Sequence, residues 1–496
     1  ISLGYNRTFG RHALDGAVNF HISGYNGDGY FSYKYHYANL NGRINYSYDD
    51  RYVAEFGFSY FGNDAYAKGN QWAFYPSVSA AWVLSNEAFL KDSKVVDLLK
   101  LRLSYGRSGF ADSGATGVLS NYSSNGRYLF KDYYTNSYVG SFYMGSGEGV
   151  WQSSLVHMFL ANAGVHAEKS SKYNVGIDAE LFGKLHLSAD AFIDKRTDIL
   201  TLDNSMMGYY GKNYYFDNIG KMTNKGVELS AVWNDQRANW GYSINGSVSF
   251  NRNKIDYMAE VAPAYSYNAQ TGRPYGTLIG LVADGFYDVD DFNADGSLRE
   301  GLPVSSYQNT VRPGDVKYRD LNRDGRIDDY DRTYQLYAAV PEIYYGFSVE
   351  LKYRGFGVSA YFQGVAHSTL ETTLSSIYQP LYGNDRNVSE YYMEHRWSRF
   401  NTEGRYPRLT TLANGNNYTQ SSLWTENGNF LKLRTLQAYY KLPSKIARKL
   451  RMRECSFYFR GLNLFSVDHV GILDPEYVST GYPSSRSYQI GLNVIF

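Results

Sequence analysis

Apolar and polar residues alternate with a period of two in segment after segment of this chain. In residues 172–181, Tyr173, Val175, Ile177, Ala179 and Leu181 are apolar, while Lys172, Asn174, Asp178 and Glu180 share the other face with Gly176. Residues 240–251 set Trp240, Tyr242, Ile244, Val248 and Phe250 against Ser243, Asn245, Ser247, Ser249 and Asn251. The same pattern puts Tyr345, Phe347, Val349, Leu351 and Tyr353 opposite Ser348, Glu350, Lys352 and Arg354, and Ala54, Phe56, Phe58 and Tyr60 opposite Glu55, Gly57 and Ser59. Successive side chains of a strand point to opposite faces, so a period of two repeated this often predicts a sheet with one apolar face. About fifteen strands are expected, near 1–7, 13–25, 41–48, 52–60, 72–83, 99–107, 172–181, 185–194, 226–233, 240–251, 343–353, 355–364, 429–440, 454–465 and 487–496.

The connections carry a second pattern. Short links at 49–51, 182–184, 235–239 and around Arg354 alternate with long ones at 108–171, 195–225, 252–342 and 365–428. Tight turns at one rim and large loops at the other are the signature of an antiparallel transmembrane β-barrel, with turns in the periplasm and loops outside. Two rim segments on the turn side are predicted helical, 86–98 and 443–453, the second opened by Pro443.

Composition fits a sheet in lipid better than a packed soluble core. The chain has 496 residues with 51 Tyr and 48 Gly, where a globular core would rely on Leu, Ile, Val and Ala. Strand alternation keeps the mean hydropathy negative, and no window approaches the ~18 apolar residues of a membrane helix. Trp72, Trp82, Trp233, Trp240 and Tyr353 fall near strand ends, where interface girdles lie. A soluble propeller or sandwich would alternate too, but a propeller would also show a blade-length repeat, which this sequence lacks. The formal charge is +1 without a basic block, so no electrostatic footprint for nucleic acid exists. Cys455 is the single cysteine, which excludes a disulfide framework and a thiolate metal site.

The last strand places Tyr488, Ile490, Leu492, Val494 and Phe496 on one face. An aromatic ending such a strand is similar to the signal read by the outer-membrane assembly machinery. Ile1 begins inside a strand pattern, and an odd number of strands with a free first edge cannot sit in lipid. The expectation is that these residues are part of a larger barrel.

Several segments in order resemble the C-terminal half of the barrel of SusC-like TonB-dependent transporters of Bacteroidetes. They are 44–58 (INYSYDDRYVAEFGF), 70–90 (NQWAFYPSVSAAWVLSNEAFL), 99–109 (LKLRLSYGRSG), 168–200 (EKSSKYNVGIDAELFGKLHLSADAFIDKRTDIL) and 218–229 (NIGKMTNKGVEL). Residues 313–332, 429–443 (NFLKLRTLQAYYKLP) and 461–465 (GLNLF) continue the match over nearly the whole chain. The resemblance implies a barrel of roughly 22 strands with a plugged lumen. It further implies active import, a SusD-like surface lipoprotein as lid, and energy from TonB through an N-terminal part that these residues do not contain. No plug domain and no TonB box is present in the sequence.

The sharpest local chemistry lies in the 252–342 connection. Asp320, Asn322, Asp324, Asp328 and Asp331 occupy positions 1, 3, 5, 9 and 12 of an EF-hand-type spacing, with Gly325 at 6, the Arg326 carbonyl at 7 and Ile327 at 8. Six or more hard oxygens suit calcium, and a structural ion pinning the loop is the expectation. An Asp/Asn/Gly-rich turn without an ion would use the same residues. Asp291, Asn293, Asp295 and Gly296 start in the same way but put Arg299 and Leu302 where ligands belong, and read as a turn.

Catalysis finds little support: the 9 His are scattered, there is no HExxH or GxSxG, and Glu394-His395 reads as surface polarity. Substrate contacts are expected from loop aromatics such as Trp151, Tyr209, Tyr210, Tyr214 and Tyr215, which suit a sugar ring or a peptide equally. The leading reading is import of an oligosaccharide or oligopeptide; the alternative is a passive porin or a barrel-anchored enzyme.

Overall fold

The computed structural model describes residues 1–26, 34–110, 128–145, 150–203, 215–372, 378–381, 386–471, 473–476 and 484–496. Fifteen strands form one sheet in which each is hydrogen-bonded to the next along the chain. They are β1 (Ser2–Phe9), β2 (His12–Asn26), β3 (Lys34–Tyr48), β4 (Tyr52–Asn63), β5 (Trp72–Val83), β6 (Val96–Phe110), β7 (Glu168–Leu181) and β8 (Leu185–Leu202). The series continues with β9 (Phe216–Gln236), β10 (Trp240–Tyr257), β11 (Ile343–Tyr353), β12 (Phe356–Ala366), β13 (Phe430–Lys441), β14 (Glu454–Asp468) and β15 (Ser487–Ile495).

The residues divide into two compact units, one built on 1–228, 252–262 and 270–273, the other on 229–251, 263–269 and 274–496. In the first, antiparallel register turns alternation into two chemically distinct faces. Leu14, Tyr46, Ala54, Ala80, Leu103, Val175 and Ala191 are successive partners across β2 to β8 and form an apolar row. The next residue of each strand reverses face, and Asp15, Asn45, Glu55, Ser79, Ser104 and Asn174 form a polar row. The apolar face is the uncovered one: Leu103 is 63% exposed and Val175 54%. Trp82 stacks with Tyr52 at the short-turn end, and Trp72 with Tyr60 at the long-connection end. The eight residue steps from Tyr52 to Tyr60 span about 26 Å along β4, comparable with the ~25 Å apolar band of an outer-membrane barrel.

In the second unit, β10 pairs with β11 from Trp240↔Tyr353 to Phe250↔Ile343, and Val358, Leu351 and Ile244 keep the same uncovered apolar face. Trp240 stacks on Tyr242 at the turn end, while Trp233 donates Nε1–H to the Tyr242 hydroxyl at 3.1 Å.

Every predicted strand has a counterpart in the sheet. The structure lengthens several: β3 begins at Lys34, β8 runs to Leu202, and β9 covers Phe216–Gln236. Beyond the apolar band both faces of a strand are wet, so alternation fades while the ladder continues. The long 111–167 connection also contains a hairpin, Tyr133–Met144 with Val150–Phe159, which sequence reasoning did not anticipate.

One helix prediction is wrong. Instead of a helix over 86–98 there is a single 3-10 turn, Leu84–Asn86, and the chain is already extended at Val96, paired with Leu181. Ser93 Oγ accepts the amides of Val95 and Val96 at 3.2 and 3.1 Å, which draws those donors away from a helical ladder. The second prediction holds as Ser444–Lys449, preceded by Pro443.

Candidate functional site

In the second unit the long connections 274–342 and 367–429 fold against one another into a module with its own core. Four short strand pairs frame it: Thr277–Gly280 with Thr333–Ala338, Ala283–Phe286 with Val316–Tyr318, Val304–Ser305 with Arg326–Ile327, and Thr369–Glu371 with Thr425–Asn427. Leu281, Val316, Tyr318 and Ile327 fill one cluster, and Tyr378, Tyr392, Tyr406 and Trp424 fill another. Tyr406 stacks on Tyr392 at 5.0 Å and on Trp424 at 6.0 Å.

A buried polar network joins the two connections. Asp315, fully buried, forms an ion pair with Arg408 at 2.7 Å and accepts hydrogen bonds from Nδ2 of Asn417 at 2.9 Å and of Asn414 at 3.2 Å. Asn416 donates to the Val316 carbonyl at 2.8 Å and accepts from Ser305 at 2.6 Å, while Trp424 Nε1 donates to the Asn417 carbonyl at 2.7 Å. A buried carboxylate survives because it is paired and hydrogen-bonded. Burial also pushes the Tyr287 phenol up to about 12, with the carboxylates of Asp291 and Asp315 adding to the effect.

A strap at the end of β14 is held differently. Asp474 and Glu476 meet the buried ammonium of Lys432, Glu476 at 2.8 Å, and Glu476 also takes the guanidinium of Arg434. Burial alone would raise both carboxyls; Lys432 for Asp474, and Arg434 with Lys432 for Glu476, hold them below their ordinary range.

The Asp-rich loop has the predicted bend. Gly325 takes φ +83°, a conformation that glycine adopts freely. Asp320 accepts the amides of Arg323 at 2.6 Å and Gly325 at 2.8 Å, and Asp324 accepts that of Arg326 at 2.8 Å. Asn322 bridges to Asp324, Asp328 accepts the Tyr330 amide, and Asp331 accepts the amides of Leu321 and Asp328. Ladder bonds to Val304 and Ser306 use the carbonyls of Gly325 and Ile327, which leaves the Arg326 carbonyl between them turned the other way. The carboxylates are thus strung along the backbone, and among the described residues no group of three or more His, Cys, Asp or Glu converges on one point.

The loop aromatics fare less evenly. Tyr209, Tyr210 and Tyr214 lie outside the described residues, as does the Trp151 side chain, whose backbone pairs with Tyr143. Tyr215 is half-buried, and its carbonyl accepts the Asp203 amide at 2.8 Å. Sequence reasoning overlooked a different group, Tyr265, Tyr267 and Tyr330, which lie together; the Tyr-x-Tyr spacing and the Tyr inside the Asp-rich loop were the signals available.

On the polar face of the first unit, Arg102 forks between two carboxylates, Asp178 at 2.8 and 2.9 Å and Asp190 at 3.0 and 2.9 Å. Gly176 makes this possible, because a Cβ there would meet Asp190 at 2.4 Å and Arg102 at 2.7 Å. The same face holds a recess of about 690 Å³ lined by Asn19, Asn41, Arg43, Glu55, Ser59 and Tyr75. Several histidines meet carboxylates, among them His36 with Asp64, His166 with Asp198 and His367 with Glu342, whereas His395 meets the Tyr391 carbonyl.

Comparison with known proteins closes the identification. The family described as TonB dependent receptor-like, beta-barrel matches residues 2–330. TonB-dependent receptor P3 of Formosa agariphila is 27% identical over 92% of this chain and 45% of its own length. TonB-dependent receptor SusC of Bacteroides thetaiotaomicron is 25% identical over 92% of this chain and 43% of its own. The chain therefore spans about half the length of the curated relatives it matches. The RagAB peptide importer in its open-open state superposes with a TM-score of 0.73 at 18% identity, covering 100% of this chain and 54% of that one, a likeness of fold. The chain belongs to the TonB-dependent receptor β-barrel family, with SusC among its relatives, and its sheet is that of an integral outer-membrane protein.

Proposed function

We propose that these residues are the C-terminal part of a SusC-like barrel that imports oligosaccharides or oligopeptides across the outer membrane. The rest of the barrel, the plug and the TonB contact are assigned to the remainder of the full-length transporter, and a SusD-like lipoprotein closes the long-connection side. The observation that carries the reading is the pairing of an uncovered apolar sheet face with a packed module on the long connections. The first belongs in lipid; the second is a preformed surface on which a lid and a substrate can be received. SusC and the RagAB peptide importer, as relative and fold neighbour, support transport over enzymatic chemistry. Deleting the gene should abolish growth on one class of oligomer, and affinity purification of the tagged transporter should co-purify a surface lipoprotein. Unchanged uptake in a strain lacking TonB would refute energised import.

The same reading includes a structural calcium ion on Asp320, Asn322, Asp324, the Arg326 carbonyl, Asp328 and Asp331. Its support is the ligand spacing and the bend at Gly325, with the Arg326 carbonyl left clear of the ladder. An ion would draw on the lone pairs that the amide contacts leave. Calcium should protect the 274–342 connection from proteolysis in the native protein and not in Asp320→Ala; equal cleavage with calcium or chelator would exclude it.

A further inference from the structure

We propose that the uncovered face of β6 to β8 holds a site for one phosphorylated acyl lipid of the outer leaflet, its phosphate between Arg107 and Lys195 and a chain in the groove beside Tyr105 and Tyr173. The site needs only the membrane placement of the sheet and is independent of what the barrel carries.

Strand register brings the two cations together. On these three strands the apolar set runs up from the turn side and ends at Tyr105, Tyr173 and Ile193, which are cross-strand partners. The next row of the same face, toward the long connections, is Arg107, Ser171 and Lys195. Arg107 and Lys195 therefore stand two strand spacings apart, roughly 10 Å between backbones, with a small serine between them. Both are exposed, and among the described residues neither has a hydrogen bond or an ion pair.

Carboxylates of the same strands are turned away or already used. Asp178 and Asp190 hold Arg102 on the opposite, polar face, where Asp194 meets Ser170 and Lys172. Asp198, one row further out, is taken by Lys169 at 2.7 Å and His166 at 3.3 Å. Two unpaired cations at the edge of hydrocarbon leave a local positive field. The rest of this wall lacks it: across β2 to β5 the same row carries Val18, Gly42, Phe58 and Pro76. Cations that only snorkel from lipid to water would have no reason to gather beside one groove.

Below the cations the wall is concave. A groove of about 530 Å³ crosses β5 to β8, with Ala80, Leu103, Tyr105, Tyr173, Val175 and Ala191 in its lining. Ala80, Leu103, Val175 and Ala191 form one row with a small residue at each end, and the rings of Tyr105 and Tyr173 meet at 5.0 Å along the cation side. A preformed apolar depression gives an acyl chain more contact than a flat wall does. The guanidinium fork matches phosphate oxygens and the ammonium adds a point charge. A zwitterionic headgroup brings its own cation to the same place and gains less.

Native mass spectrometry of the full-length transporter in detergent tests the site, without TonB or uptake. The protein is titrated with diphosphoryl lipid A and with phosphatidylethanolamine, and inorganic phosphate serves as competitor. One lipid A per transporter should bind roughly tenfold or more tightly than phosphatidylethanolamine. Arg107→Gln with Lys195→Gln should weaken it by roughly tenfold or more, whereas the exchange Arg107→Lys with Lys195→Arg should stay within roughly threefold. Ala80→Phe with Ala191→Phe fills the groove, keeps both cations and should weaken binding as well. Equal binding of the two lipids, adducts without a single tight first site, unchanged affinity in the Gln pair or in the Phe pair, or displacement by equimolar inorganic phosphate would each overturn the assignment.

Discussion

Aromatic side chains do opposite things in the sheet and in the loop module. On the sheet, Trp72, Phe74, Val78 and Trp82 stand on a face that stays uncovered, while the partner face carries Ser77, Ser79 and Arg102. In the module, Tyr392, Tyr406 and Trp424 are buried, and a hydrogen-bonded polar network centred on Asp315 and Asn417 is buried with them. The sheet is folded for two solvents, hydrocarbon on one face and an aqueous interior on the other, and its backbone is satisfied by strand pairing alone. The module is folded for water, with aromatic burial inside and a hydrogen-bonded network around the buried Asp315 carboxylate. A residue's role in this chain therefore depends on the solvent its side chain meets, more than on its type.

Substitutions can break that contrast in both regions. The largest effect is expected from Trp424→Ala, which empties the centre of the module and should cost it about 3 to 5 kcal/mol, read as rapid proteolysis of 367–429 while the sheet stays heat-resistant. Asp315→Ala should follow at about 3 kcal/mol, because it strands Arg408 without a counter-ion; simultaneous loss of the sheet would show that the module is not an independent core. On the wall, Val175→Lys should cost about 2 to 4 kcal/mol and Ser104→Lys close to none, measured by urea unfolding in lipid vesicles. Equal effects at the two positions would erase the distinction between the faces.

The smallest effect comes from acid. The carboxyls of Asp474 and Glu476 have folded pKa values below the unfolded ones, so their stabilisation is complete above the ordinary carboxylate range and is lost as pH falls through the depressed values. Amide exchange at 473–476, corrected for intrinsic rate, should stay slow at neutral pH and quicken below about pH 4. Lys432→Met should weaken this dependence and leave the part that Arg434 sustains at Glu476.

Strands were legible wherever a segment crosses from water through an apolar band, because that passage forces alternation; Lys172–Leu181 and Trp240–Phe250 needed nothing more. Strand extensions such as Lys34–Leu40 were illegible, since neither alternate set of residues in that segment is uniformly apolar. The module was illegible for another reason: its core is assembled from positions far apart in sequence, Asp315 with Asn417 and Tyr318 with Asn416, and no local period records such pairings. At the Asp-rich loop the spacing correctly gave the bend at Gly325. It could not give the direction of each carboxylate, which the competing backbone amides decide.

The central claim is that alternate residues of each strand face hydrocarbon. Single cysteines placed at 187 to 194 along β8, in a Cys455→Ser background of the full-length transporter in bilayers, can be spin-labelled and tested with oxygen and with a water-soluble nickel chelate. The account predicts oxygen accessibility at Leu187, Ala189, Ala191 and Ile193 and chelate accessibility or burial at Ser188, Asp190, Phe192 and Asp194, a period of two along the strand. Uniform chelate accessibility through the segment would contradict it.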